Sequence, residues 1–89
     1  LPLEYPDPPE HYTIEVRSGP TFGEETIRSM EAKTVEDAVI AIESLRETYA
    51  QRDNVKWRAE EVNAVGDLLG VDDQQNTWQI HVHPPLPAS

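Results

Sequence analysis

Eighty-nine residues fit one domain and are too few for two, because a second core could not bury enough apolar surface to offset chain entropy. The composition, 37% hydrophobic and 27% charged, is that of a globular protein, and every apolar run falls far short of the about 20 residues that cross a bilayer, so no membrane span is expected. Seventeen Asp plus Glu against seven Lys plus Arg give a net charge of −10 at pH 7, which disfavours direct binding to nucleic-acid phosphates, and the lack of cysteine excludes a disulfide framework, a thiolate zinc site and a cysteine nucleophile.

Seven of the eight prolines fall in the first nine or last six residues. Residues 1–10 (LPLEYPDPPE) and 84–89 therefore read as extended, polyproline-like ends around a single domain at 11–83. Such ends can be recognition motifs, but they suit linkers equally, and the pair of them is compatible with a domain set inside a longer chain.

From His11 to Arg17 the residues alternate, with Tyr12, Ile14 and Val16 on one side, which predicts a half-buried strand. Ser18 to Gly23 supplies turn residues, and Glu25 to Lys33 can return as the second arm of a hairpin. Alternation there is poorer, since Met30 and Ala32 share a face that Ile27 does not. A bulge or an edge position is expected.

Thr34 followed by Asp37 resembles a helix-capping pair. Val35, Ala38, Val39, Ile42, Leu45 and Tyr49 then recur at spacings of three and four, which predicts an amphipathic helix of about four turns. Glu36, Glu43, Glu47 and Arg46 lie opposite, with Glu43 and Arg46 spaced for a weak exposed pair. Beyond the polar break 51–54, alternation from Val55 through Trp57 predicts a third strand to about Val62, followed by irregular or short helical structure. The rival is a second helix over 58–69 capped at Gly70, in which Gly66 would cost about 1 kcal/mol relative to alanine. Trp78, Ile80 and Val82 then mark a last strand, which Pro84 ends.

One four-stranded sheet with a single helix packed across it, in the order ββαββ, buries these apolar faces most simply. That α+β order resembles the β-grasp topology of ubiquitin and of small immunoglobulin-binding domains, which implies parallel first and last strands at the sheet centre. The expected core is Tyr12, Ile14, Val16, Met30, Val35, Val39, Ile42, Leu45, Trp57, Trp78, Ile80 and Val82. Both tryptophans are read as core because they alternate in phase with aliphatic residues.

No nucleophile motif, phosphate loop or placed pair of carboxylates supports catalysis, so neither an enzyme nor a cofactor is expected. Glu24, Glu25, Glu31, Glu36, Glu43 and Glu47 form an acidic cluster, with Asp72 and Asp73 in a late loop. Most such surfaces are simply solvated. The functional reading is a non-enzymatic protein-interaction module, accessory, inhibitory or assembling, that presents Glu31, Glu36, Glu43 and Glu47 to a basic protein partner. The alternative is a small metal-binding domain built on His81 and His83, which point the same way about 7 Å apart along a strand; His11 would lie roughly 15–20 Å from His83 if the first and last strands ran parallel, whereas antiparallel pairing would make those two histidines neighbours and allow a site with Glu15.

Overall fold

The computed structural model describes residues 11–19 and 25–86; Glu24 and the proline-rich ends 1–10 and 87–89 lie outside them. Alternation places Tyr12, Ile14 and Val16 on the covered side of strand β1 (Tyr12–Gly19), all of them buried. Strand β2 (Glu25–Ala32) returns antiparallel from Tyr12↔Ala32 to Ser18↔Glu25. Val16 faces Arg28 while Arg17 faces Thr26, so Ile27 is an extra residue. This is the expected bulge, and β2 is also an edge strand.

Helix α1 (Val35–Arg52) starts where Thr34, in an extended conformation, accepts a 3.0 Å bond from the Asp37 amide through Oγ1. It ends at Asp53 and Asn54, the latter at φ 56, with the Asp53 and Val55 amides both donating to the Tyr49 carbonyl. A two-residue strand β3 (Lys56–Trp57), an irregular segment at 58–66, and strands β4 (Asp67–Val71) and β5 (Thr77–His83) follow.

The five strands form one sheet in the order β2-β1-β5-β4-β3, and every pair is antiparallel. The α+β class with one helix on a sheet is as expected, but two features differ. The sheet has five strands and not four, because 67–71 is a strand. The first and last strands are central but antiparallel, from Thr13↔His83 to Gly19↔Thr77, so the parallel pair of a β-grasp is missing. Neither the helix over 58–69 nor a strand reaching Val62 forms. The Arg58 amide donates to the Leu69 carbonyl, and the Asn63 side chain and backbone together organise 63–67 into a turn that delivers Asp67 to β4.

Gly70 explains part of this outcome. It faces Trp57 across β3–β4, and a Cβ there would lie 2.7 Å from the Trp57 ring and 2.8 Å from Val55 Cγ1. The strand carries glycine because an indole occupies the space a side chain would need.

The core lies between α1 and one face of the sheet. It contains Tyr12, Ile14, Val16, Ile42, Leu45, Trp78, Ile80 and Val82, as expected, together with Ala32, Ala38, Tyr49, Val55 and Leu68. Tyr49 stacks at a tilt on Trp78, with centroids 5.3 Å apart. Met30 and Trp57 are only half-buried, and the Trp57 indole N–H reaches back to the Arg46 carbonyl at 2.8 Å, tying β3 to the helix. Among the described residues, no helix is long and apolar enough to cross a membrane.

Candidate functional site

Two members of the helical stripe leave the core. The buried helix residues are Ala38, Ile42, Leu45 and Tyr49. At 100° per residue, Val39 sits about 90° round the helix from the centre of that set and Val35 about 50°, close to the helix start. Both are exposed, Val39 by 39% and Val35 by 36%. Spacing alone assigns them to the core. Packing excludes them because α1 begins beside the β2 edge of the sheet and ends beside the β3 edge, and one flank of its first turns faces the 60–64 segment instead of a strand.

The gap between that flank and the segment is a groove of about 550 Å³. Its apolar surface comes from Val35, Val39, Ile42, Val62, Ala64 and Leu86. Leu86 comes from the segment that proline content assigns to a tail, and it packs against the core. Glu43 on one side and Glu60 and Glu61 on the other supply carboxylates. Gly66 helps to hold the far wall: its φ is +86, its carbonyl accepts from the Val82 amide at 2.8 Å, and a Cβ would lie 2.5 Å from the Val82 carbonyl oxygen.

Among the expected contact residues, Glu36, Glu43 and Glu47 do share one line on α1, at spacings of seven and four, and Ile40, 63% exposed, stands within that line. Glu31 does not join them. It faces Thr13, on the side of the sheet away from the helix, and lies 3.4 Å from His11 Nε2. The Glu43–Arg46 pair does not form: the ion pairs among the described residues are His11–Glu31, Arg17–Glu15 and His81–Asp67. Arg46 instead helps line a second hollow with Glu43, Glu47, Ala50, Val55 and Trp57, and its Nε is buried with no hydrogen-bond partner. Glu43 therefore belongs to both hollows.

Asp72 has a structural task. Its Oδ1 accepts from the Gln74 and Asn76 amides, each at 2.9 Å, and its Oδ2 accepts from Trp78 Nε1 at 2.9 Å and Asn76 Nδ2 at 3.2 Å. Burial among these groups pushes its pKa up, but the four donors outweigh that and hold it below the ordinary value of 3.8. Asp73 is exposed beside it.

The face of the sheet away from the helix carries His81 and His83. His81 Nδ1 lies 2.5 Å from Asp67 Oδ1, which also accepts from Gln79 Nε2 at 2.9 Å. His83 is exposed on the same face, its ring 6.4 Å from that of His81. Glu15 faces His81 across β1–β5 and is held by Arg17 at 2.8 Å and 3.1 Å. No three His, Asp or Glu side chains among the described residues form a ready ligand set.

Sequence reading missed Glu60, Glu61, Val62, Ala64 and Leu86 as site residues. The adjacent Glu60-Glu61 pair ahead of a lone valine was the available signal. Comparison of the chain with protein-family models, with curated proteins and with solved structures finds no match in any of the three.

Proposed function

We propose that this domain is a non-enzymatic protein-interaction module, accessory, inhibitory or assembling, that takes a basic, partly apolar segment of a protein partner along the flank of α1. One observation carries the reading: Val35 and Val39, apolar residues beside the buried face of the helix, are left exposed over a groove whose charged lining residues, Glu43, Glu60 and Glu61, are all acidic. Apolar surface supplies affinity when covered, and uniform negative charge selects and steers a cationic partner. The line Glu36, Ile40, Glu43, Glu47 extends the same chemistry along the helix. A net charge of −10 argues against nucleic acid as the occupant.

The test uses the folded domain as bait in a lysate of its source organism at low and high salt, beside two variants, Val35→Ser/Val39→Ser and Glu43→Gln/Glu60→Gln/Glu61→Gln. A protein held by the wild type, released by salt and lost by both variants is the expected result. A protein held equally by all three baits would place its contact elsewhere and refute the groove. Circular dichroism checks that the variants are folded.

A further inference from the structure

The face of the sheet opposite the helix holds a second arrangement that the groove does not involve. Asp67 on β4, His81 on β5 and Glu15 on β1 stand in one row across three antiparallel strands, and His83 follows two residues along β5. The Asp67 carboxylate can only accept, so in the neutral His81 ring Nδ1 carries the proton and Nε2 keeps its lone pair. Gln79 donates to the same Asp67 oxygen and steadies it. A carboxylate that fixes the tautomer and orientation of an imidazole in this way is the usual outer partner of a metal-binding histidine.

We propose that His81 and His83 form a surface site for a borderline-soft divalent ion such as Zn²⁺ or Ni²⁺, with Asp67 as the positioning residue for His81. The ring centroids are 6.4 Å apart and the planes 17° from parallel. Two imidazoles on a tetrahedral ion with metal–nitrogen bonds near 2.0–2.1 Å bring their centroids to about 5 Å. Rings that lie nearly parallel do not aim their nitrogens at one ion, so binding turns the exposed His83 side chain to another rotamer that brings its nitrogen toward His81 Nε2. Glu15 is engaged by Arg17, so the site has two protein ligands and water fills the remaining positions. Imidazole donors favour zinc, nickel and copper over magnesium and calcium, which separates this site from general attraction of cations to an acidic surface.

Metal-stripped protein titrated with Zn²⁺ in the presence of excess Mg²⁺, and followed by calorimetry, tests the proposal. The expected result is saturable one-to-one uptake, weakened at least tenfold by His81→Ala and by His83→Ala and unchanged by His11→Ala. Asp67→Asn is expected to lower the affinity about tenfold while the apo protein keeps its melting temperature. Absence of uptake, or uptake undiminished in a His81→Ala/His83→Ala double variant that retains its circular dichroism, would overturn it. Dependence on His11 would overturn it as well, by placing the ion at the His11–Glu31 pair.

Discussion

Replacing Asp72 by alanine removes four acceptor contacts at once, but they do not count equally. The Gln74 amide is exposed and the Asn76 groups are half-buried, so most of those three donors can turn to water. Trp78 is buried against Tyr49, and its Nε1 would lose the one hydrogen-bond partner it has among the described residues. An unsatisfied buried donor costs about 1–3 kcal/mol, and loss of the charge-assisted loop bonds adds about 1 kcal/mol, giving about 2–4 kcal/mol in all. That is a large share of the about 5–10 kcal/mol expected for a domain of this size.

The pH dependence has a definite sign. Because the folded state holds the Asp72 pKa below 3.8, its contribution is fully present above that value and is lost as pH falls through the lower folded one. Urea unfolding followed by far-ultraviolet circular dichroism should therefore show Asp72→Ala less stable than wild type at neutral pH, with the difference shrinking below about pH 4. A neutral-pH difference under about 1 kcal/mol, or one that acid leaves unchanged, would refute the assignment of Asp72 as the organiser of the β4–β5 turn. Asp72→Asn should fall between the two, since an amide can accept from the loop or from Trp78 but not from both.

Gly66→Ala is expected to destabilise by about 2 kcal/mol or more, because it combines a positive φ with a Cβ 2.5 Å from a backbone oxygen, and a thermal melt within a degree of wild type would contradict the turn geometry. Iodide should quench the half-buried Trp57 far more than the buried Trp78, which single Trp→Phe variants resolve by fluorescence; equal quenching of both would contradict the packing of the indoles described above.

Local rules account for the elements whose causes are local. Alternation in Tyr12–Val16 and Trp78–Val82, the Thr34 cap and the i, i+3, i+4 stripe of α1 act over a few residues, so each was legible from the chain. The irregular pattern of 25–33 likewise announced an edge and a bulge, which the unpaired Ile27 supplies. Glu36, Glu43 and Glu47 were legible as one helix face for the same reason.

The rest depended on distant partners. Asp67–Val71 reads as turn or helix until Trp57 is placed over Gly70, since the indole and not the local sequence makes glycine acceptable in a strand. Parallel or antiparallel pairing of β1 with β5 leaves the alternation of each strand unchanged, yet it decides that Glu15, His81 and Asp67 share a row. The direction in which α1 crosses the sheet decides that Val35 and Val39, apolar members of the i, i+3, i+4 stripe, line an acidic groove. Periodicity of the chain thus determined which residues share a face, and only the tertiary arrangement determined which faces are covered, because burial is a property of what packs against a surface.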